Sequence, residues 1–583
     1  MACQDNTMLL CDPDSLFRTI NGSCNNLNHP TWGMTTDCFL RFQPAFYTGY
    51  DGFRESTAGG PLPEPRDLTL KIFKNDERPS RNLTLMFTIY GQMVAHDLSR
   101  IQLLPVERGD CCLPENVDNP HCIRISIRPD DMFYSQFNVT CMDLKRTVFC
   151  TTYNTPHREQ KNMVTGMLDS STVYGPTEEK AAAMRKYDGT GKLKSNQTEN
   201  GELLPTGKDP GDLFCFPEIE PDCFIAGDPR VNHHATLSSL HTIFLREHNR
   251  IATKLKELNP FWGEELLYQE ARKINSAQLQ CITYREYLPA LLGPSVMDQF
   301  NLSVKTEPEG SKYNPEIRLG VSNEFSAAVF RLHNMVASKI GALNLHFRNL
   351  YSNPELIRQG HMTDIVKGIC KVPSDEYGHL YSQDVTDYLN QRPINPYGKD
   401  LAAVDVQRAR DHGLAPYIYF VNFCSGGKIN ITSFDNLAPR LMSQHHAKIL
   451  KKNYATVEDV DLWAGVQMEH HLPDSELGPT TACILAKQFY ISKFGDRFYF
   501  EHEEQKPSFT EDQRQSLKKC SLSRLLCDNS VVKKIQKNSM LLPNHENHKV
   551  PCDEIPNIGL SPWKMNTSMQ MSMKIRKTNL DSP

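Results

Sequence analysis

The usual signatures of catalysis are missing from this sequence. It holds no GxSxG nucleophile turn, no HExxH zinc-binding helix, no P-loop and no GxGxxG dinucleotide turn. Each of these patterns brings a reactive side chain or a run of backbone amides to the place where its chemistry needs it. Hydrolase, zinc-protease and nucleotide-dependent functions therefore have no support.

Cysteines are the most prominent reactive side chains, and most of the eighteen fall in local groups. The groups are Cys11 with Cys24 and Cys38; Cys111, Cys112, Cys122, Cys141 and Cys150; and Cys215 with Cys223. No CxxC pair or Cys/His spacing indicates zinc, so we predict a disulfide framework formed in an oxidising compartment. Asn-x-Ser/Thr glycosylation motifs agree with secretion, although such motifs also arise by chance in a long polar chain. The seven motifs begin at Asn21, Asn82, Asn138, Asn196, Asn301, Asn430 and Asn566.

The first residues, MACQDNTMLL, have neither the basic nor the apolar region of a signal peptide. Either a signal peptide is missing from this sequence or export is unconventional, and we favour the first explanation. No apolar run approaches the roughly 20 residues that a membrane span needs, so none is predicted. The net charge of −5 without a basic stripe argues against nucleic acid as a partner.

Apolar residues recurring every three or four positions predict α-helices over residues 83–98, 235–255 and 481–494. There is no sustained strand alternation, no repeat and no Gly/Ser linker. With 39% hydrophobic residues, the chain has ample material for a large core. We predict a mainly α protein with a single large domain over residues 1–565, followed by a loose polar tail at 566–583.

Eight separated segments occur in the order in which the animal haem peroxidases have them, and together they extend over residues 16–563. They are RTINGSCNNLNHPTWG, GQMVAHD, LDSSTVYG, AGDPR with LHTIFLREHNRIA, ITYREYLP, QRARDHGL, DLWAG and LCDNS. One segment alone would be weak, but all eight in order are specific, so the chain is identified as a divergent member of this family. The resemblance implies a mainly α domain with disulfides and few short strands. It also implies a peroxidase that uses hydrogen peroxide, haem b and Ca²⁺.

The resemblance assigns the distal, peroxide-binding side of the haem. His96 of GQMVAHD matches the family's distal histidine, and Arg230 of AGDPR matches its partner arginine. Peroxide cleavage needs a base for one oxygen and a fixed cation for the departing one, which imidazole and guanidinium supply. Gln92 lies one turn before His96 on the same helix face. In the family this glutamine organises distal water and halide.

A calcium site is implied beside the distal histidine. Calcium takes six to eight oxygen ligands, and a loop of carboxylate, hydroxyl and carbonyl groups can wrap it. The matching residues are Asp97 of the distal helix with Thr165, Met167 (through its backbone carbonyl), Asp169 and Ser171 of the loop. Such an ion would anchor the distal helix to the loop.

The residues at the haem edge depart from the family. Many members form ester bonds to haem from an Asp before the distal His and from a Glu after the Arg; here these positions are Ala95 and His233. A methionine that forms a sulfonium link in one member is matched by His234. Alanine and histidine cannot make these bonds. We therefore expect haem held without covalent links, with less electron withdrawal from the iron.

The proximal, iron-ligating side is also altered. The family has Arg, two residues and then the axial His; aligned on Arg331, that position is Asn334, and His333 precedes it. One residue is about 100° of helix rotation, enough to turn a ligand away from iron. A local bulge or deletion would restore His333, which we favour as the haem ligand. The alternative is a haem-free protein with His333 packed elsewhere.

Asp405 stands where the family has an Asn beside the axial histidine. A carboxylate that accepts the imidazole Nδ–H would make the ligand more basic and lower the reduction potential of the iron. Alternatively, Asp405 reflects drift in a site under no catalytic demand.

Arg108-Gly109-Asp110 precedes two adjacent cysteines. Some family members carry integrin-type motifs of this kind, although a three-residue match is common by chance. Two functions therefore stay open. The first is a peroxidase that oxidises phenols, iodide or similar small donors; the second is a haem-poor pseudoenzyme with an adhesion or binding role. The intact distal residues and calcium loop favour the peroxidase.

Overall fold

The computed structural model describes residues 9–150, 156–216, 222–306, 308–392 and 395–565, and these ranges are mainly helical. The predicted tail at 566–583 lies outside the described residues. The α-helices, in chain order, are α1 Pro65–Ile72, α2 Leu85–Leu98, α3 Ser171–Tyr174, α4 Glu178–Met184, α5 Ala235–Leu258, α6 Glu264–Ile282, α7 Leu288–Leu292, α8 Pro294–Gln299, α9 Met362–Ile369, α10 Gln383–Thr386, α11 Leu401–Asp411, α12 Tyr417–Cys424, α13 Gln444–Asn453, α14 Leu462–Val466, α15 Pro479–Phe494, α16 Glu511–Leu517 and α17 Leu522–Asn529. The mainly α prediction is confirmed.

Strands are short, and within the described ranges they join only in pairs. The antiparallel pairs are β1 Tyr47–Thr48 with β2 Gly52–Phe53, β4 Pro79–Thr84 with β9 Pro373–Asp375, β5 Ile125–Ser126 with β6 Cys141–Met142, β7 Asn196–Thr198 with β8 Gly201–Leu203, and β11 Lys534–Gln536 with β12 Lys549–Pro551. One parallel pair joins β3 Lys74–Asn75 to β10 Leu380–Tyr381.

The three predicted helices are confirmed as α2, α5 and α15, with shifted ends. Residues 83–84 belong to β4 rather than to α2. α15 begins two residues earlier than predicted because Pro479 suits the first turn of a helix, where its missing N–H is not needed. α5 continues to Leu258 and packs against α2, α6 and α9.

α2 runs through the hydrophobic core and is buried on almost every side. A helix that is apolar all round is typical of such a position. At Gly91 a Cβ atom would lie 2.3 Å from the hydroxyl oxygen of Tyr287, so only glycine allows this close approach. The packing sets the position of the polar residues that follow on the same helix.

Eight disulfides join cysteines within the described ranges, which confirms the predicted framework. Four lie within the local cysteine groups, and Cys38–Cys150 joins two of those groups. The others are Cys11–Cys24, Cys111–Cys122, Cys112–Cys141, Cys215–Cys223, Cys281–Cys520, Cys424–Cys483 and Cys527–Cys552. Among the described residues, none of the helices has the length and apolar character needed to cross a membrane.

Candidate active site

A cavity of about 290 Å³ lies where α2, the turn before α5 and the segment around residue 333 meet. His96, Arg230 and Gln92 line it, and so does His333 from a distant part of the chain. Much of the remaining wall is apolar or aromatic and includes Phe87, Phe325, Phe330, Val336 and Leu401. The fold therefore brings the predicted distal residues and the favoured proximal histidine to one chamber.

His96 comes from the last turn of α2 and is half-buried. Its Nδ1 atom is buried and has no hydrogen-bond partner in the described part of the chain. Burial, together with the neighbouring charge of Arg230, lowers the pKa of His96 well below its ordinary value. The imidazole is therefore neutral at neutral pH, which is the form that can accept a proton.

Arg230 lies in the 3₁₀ turn Pro229–Asn232 and is held by Asp228, a residue that the sequence analysis did not single out. Its Nε and Nη2 atoms lie 2.8 and 2.6 Å from the two Asp228 carboxylate oxygens. The guanidinium also donates to the backbone oxygens of His96 and Ser99 at 3.0 and 3.1 Å. Four of its five N–H groups are thus engaged, and one on Nη1 stays free.

The position of Asp228, two residues before Arg230, could have identified it from the sequence as a partner of that arginine. It caps the turn by accepting the backbone N–H of Arg230, and Asp is a preferred residue at such a cap. Its carboxylate is buried, which alone would raise its pKa, but the adjacent Arg230 charge lowers the pKa overall. The carboxylate therefore stays ionised and fixes the arginine.

On the proximal side, the backbone leaves regular helix before it reaches the histidine. A π-helical turn at Phe325–Val329 is followed by the 3₁₀ turn His333–Met335. His333 faces the cavity, whereas Asn334 is buried and donates to Gln467 Oε1 at 2.8 Å and to the backbone oxygen of Gly378. Of His333 and Asn334, this geometry favours His333 as the residue at the axial position.

The Nδ1 atom of His333 is engaged by a carboxylate at the back of the cavity. It lies 2.6 Å from Asp405 Oδ2, and Arg331 Nη1 lies 2.8 Å from the other oxygen, Oδ1. Asp405 is on α11 and is fully buried. Because Nδ1 is occupied, Nε2 is the nitrogen left for a metal, as in many His–carboxylate metal sites. The donor set and the largely apolar chamber fit a haem.

At the predicted ester positions, Ala95 and His233 both line the cavity, as does His234. His234 caps α5: its Nδ1 accepts the Thr236 hydroxyl and the Leu237 amide, so its Nε2–H donates to Gln92 Oε1 at 2.8 Å. The Gln92 amide nitrogen can then donate to His233 Nδ1 at 3.2 Å.

The remaining nitrogen of His233 completes this chain. Its Nε2–H donates to Asn390 Oδ1 at 2.8 Å, at the far side of the cavity wall. Burial lowers the pKa of His233 to about 4, so the ring stays neutral and each bond in the chain keeps its direction. The contact between Asn390 and His233 could not be predicted from the sequence, because 157 residues separate them.

The predicted calcium ligands also come together. Ser171 Oγ lies 3.2 Å from Asp97 Oδ1, and Thr165 Oγ1 donates to Asp169 Oδ1 at 2.9 Å. Asp169 Oδ2 is buried with no hydrogen-bond partner among the described residues. Burial and the charge of Asp169 raise the pKa of Asp97 to about 7. Met167 is fully buried in the same loop.

This pair of buried carboxylates forms no ion pair with a basic side chain inside the described ranges. Buried charges need compensation, and a hard cation among carboxylate and hydroxyl oxygens would provide it. The same ranges hold no cluster of three or more His, Cys, Asp or Glu residues able to bind a metal. A calcium ion here would thus depend on two acidic residues plus neutral oxygens.

The Arg108-Gly109-Asp110 loop is exposed but its charged ends are engaged. Arg108 Nη1 lies 2.8 Å from Glu115 Oε1, and the Asp110 carboxylate accepts the backbone N–H of Cys112 at 2.8 Å. The Cys111–Cys122 and Cys112–Cys141 disulfides tie down the residues that follow.

Comparison with known proteins agrees with the geometry. A family model described as animal haem peroxidase matches residues 17–540. The chain is 34% identical to a peroxidase of Drosophila melanogaster, with 94% of this chain and 82% of the relative covered. For human lactoperoxidase the identity is 33%, with coverage of 95% and 81%. The fold resembles peroxidase A of Dictyostelium discoideum, with a TM-score of 0.73, 24% identity and coverage of 88% and 97%. The chain therefore belongs to the animal haem peroxidase family of oxidoreductases.

Proposed function

We propose that the protein reduces hydrogen peroxide and oxidises small donors such as phenols or iodide, with haem b bound without covalent links. The observation that carries this proposal is that His96, Arg230 and His333 line one cavity. The first two are the base and cation that peroxide cleavage needs, and the third has a nitrogen free for iron.

His333, backed by Asp405, would hold the haem iron, and the apolar wall would enclose the ring. Bound haem supplies an iron centre able to pass electrons from the donor to peroxide. Because Ala95 and His233 occupy the ester positions, we propose that contacts of this wall and the axial ligand alone retain it. Loss of the esters would make the haem a weaker oxidant than in cross-linked relatives.

The distal residues would transfer a proton and stabilise the negative charge that develops on peroxide. Neutral His96 would take a proton from one peroxide oxygen and pass it to the other oxygen, which then leaves as water. Arg230, which lines the same cavity, would place its positive charge near the oxygen that leaves. Asp228 and the end of α2 hold the guanidinium still, so little reorganisation is needed when peroxide binds.

Calcium is proposed at Asp97, Thr165, Met167, Asp169 and Ser171. Its role is structural, since Asp97 directly follows His96 on α2, Thr165, Met167 and Asp169 lie in the loop before α3, and Ser171 begins α3. An ion between them would fix the last turn of α2, and with it the imidazole.

Secretion and glycosylation are proposed on the basis of the disulfide framework and the glycosylation motifs. Disulfides persist in oxidising compartments, and a glycan needs an accessible asparagine. Five of the motifs begin at exposed residues, namely Asn82, Asn138, Asn196, Asn301 and Asn430.

An adhesion role through Arg108-Gly109-Asp110 has less support. Both charged side chains of this motif have intramolecular partners, which an integrin would have to displace. The donor sets of the distal and proximal sides favour peroxidase chemistry over a haem-free binding protein.

The visible absorption spectrum of the purified full-length protein tests the proposal. We expect a Soret band corresponding to one haem per chain and peroxide-dependent oxidation of guaiacol or iodide. An exposed-site variant, His545→Ala, serves as the matched control and should keep both. A protein that takes up no haem after reconstitution would instead support the haem-free alternative.

A further inference from the structure

Arg272 on α6 is a buried cation that forms no ion pair with any described residue. Arg272 is only 4% exposed, and its Nη1 and Nη2 atoms donate to the backbone oxygens of Arg18 and Thr19 at 2.9 and 3.2 Å. Its Nε–H is buried and has no hydrogen-bond partner in the described part of the chain. Taking a charge out of water costs several kcal/mol unless a counter-charge accompanies it. Asp169 and Glu265 attract this charge from a longer distance, but neither forms an ion pair with Arg272.

Arg272 lines a small cavity of about 20 Å³ between α6 and the segment at residues 16–18. A water molecule needs roughly 10–15 Å³, so this cavity holds at least one particle of that size. A monatomic anion such as chloride is close to water in size and also fits.

Among the described residues, the lining of this cavity contains basic side chains and no acidic ones. Besides Arg272, the lining contains two cations, Arg18 and Lys273. Arg18 forms a two-pronged ion pair with Asp496, with both N–O distances 2.6 Å. Burial lowers the pKa of Lys273, and the nearby Glu270 carboxylate opposes that effect. Arg272, unlike Arg18, forms no ion pair in the described part of the chain.

The same face of α6 contacts the proposed calcium loop. Ser276, one turn after Arg272, donates to the backbone oxygen of Asp169 at 2.8 Å, and Gln280 donates to that of Leu168 at 2.8 Å. The Asp169 carboxylate of this loop is also attracted electrostatically by Arg272. When that carboxylate binds a cation, it no longer compensates Arg272.

We propose that Arg272 binds a single chloride ion in this cavity, with its Nε–H as a donor, and that calcium in the adjacent loop strengthens chloride binding. The coupling rests on the proposed calcium site, whereas the anion site itself does not depend on it. Coupling of this kind is reciprocal, so chloride also strengthens calcium binding. The site makes chloride a structural ligand that joins α6 to the N-terminal segment.

Crystals of the full-length protein grown in sodium bromide give the direct test. Bromide replaces chloride and is located by its anomalous scattering. We expect a bromide peak within hydrogen-bonding distance of Arg272 Nε. A water molecule alone at that position in the bromide crystals would overturn the proposal. This result requires no variant and no haem-dependent activity.

Chloride binding in solution is measured by ³⁵Cl NMR line broadening, with gluconate keeping the ionic strength constant. Arg272→Met should weaken the broadening about tenfold or more, since a charged hydrogen-bond donor is lost. Arg81→Met, at an exposed position on β4, is the matched control and should leave it unchanged. Equal broadening in both variants would overturn the proposal. If Arg272→Met does not fold, Arg272→Lys, which lacks the Nε–H, takes its place.

Calcium removal tests the coupling separately. With EGTA present, we expect the chloride affinity of the wild-type protein to fall about fivefold or more. An unchanged affinity would overturn the coupling. Because haem content is read independently from the Soret band, failure of the anion site and failure of the peroxidase proposal are distinguishable.

Discussion

Asp405 holds His333 by one carboxylate oxygen and Arg331 by the other. The Asp405 Oδ2–His333 Nδ1 distance is 2.6 Å and the Oδ1–Arg331 Nη1 distance is 2.8 Å. The carboxylate therefore orients the imidazole, while the guanidinium takes up part of its negative charge. Arg331 should limit how much electron density the carboxylate passes to a metal at Nε2.

Replacing Asp405 by Asn tests this relationship in the haem-loaded protein. The neutral amide is a weaker acceptor by about 1 kcal/mol or more, which corresponds to a rise in the iron reduction potential on the order of 50 mV. Spectroscopic redox titration measures it. Asp435→Asn, at an exposed site, controls for the change in net charge. An unchanged potential in Asp405→Asn would show that the carboxylate does not act on the axial ligand.

Substitutions of the distal pair should slow peroxide consumption without loss of haem. We expect His96→Ala to lower the rate by roughly 10²–10⁴-fold, because general acid–base help is lost. Arg230→Ala should give a comparable or smaller loss, as the departing oxygen loses its cation. Stopped-flow measurement of peroxide consumption at matched Soret absorbance checks both. Near-wild-type rates in His96→Ala would mean that another group handles the proton.

His333→Ala should fail differently, by losing haem or shifting the Soret band. The reason is that Arg331, the other nitrogen-bearing side chain of segment 330–336 that lines the cavity, donates to Asp405 and has no lone pair to offer a metal. Absorption spectra before and after gel filtration measure retained haem. Asn334→Ala is the matched neighbour and should keep the spectrum, since Asn334 is bonded elsewhere. Loss of haem in Asn334→Ala but not in His333→Ala would show that position 334, not 333, faces the iron.

Asp169→Ala should destabilise the calcium loop and loosen α2. Saturating calcium at about 100 times its Kd would contribute about 2.7 kcal/mol to wild-type stability, which the variant would lose. Thermal melting with and without EGTA measures the effect: the chelator should lower the wild-type Tm and leave that of the variant unchanged. Secreted yield should fall in parallel. Wild-type melting by the variant under both conditions would remove the calcium assignment.

Acidified organic solvent should extract the haem intact. Ala95, His233 and His234 offer no carboxylate or thioether for the links that relatives make. Denaturing electrophoresis followed by haem staining, with mass measurement of the polypeptide, checks the result. Haem that stays with the denatured chain would contradict the prediction and would indicate a covalent bond made by another residue.

Much of the fold was predictable from short-range pattern. The apolar spacing of α2, α5 and α15 needs only one helix turn of sequence to detect, so the helices were found and only their ends moved. The local cysteine groups likewise indicated disulfides. Their pairing was not predictable, because Cys281–Cys520 closes over 239 residues and no local rule selects it.

The sequence by itself determined the family and predicted the distal pair and the donor types of the calcium loop, because these lie in short segments whose residue order is specific. Tertiary structure alone decided which proximal residue faces the cavity. That choice depends on a π-helical turn and on the bonds of Asn334 to distant residues, neither of which leaves a periodic signal. The same holds for Asp405 with Arg331, for Asn390 with His233 and for the buried Nε–H of Arg272. Each relationship joins side chains from separate elements, and only packing sets those distances.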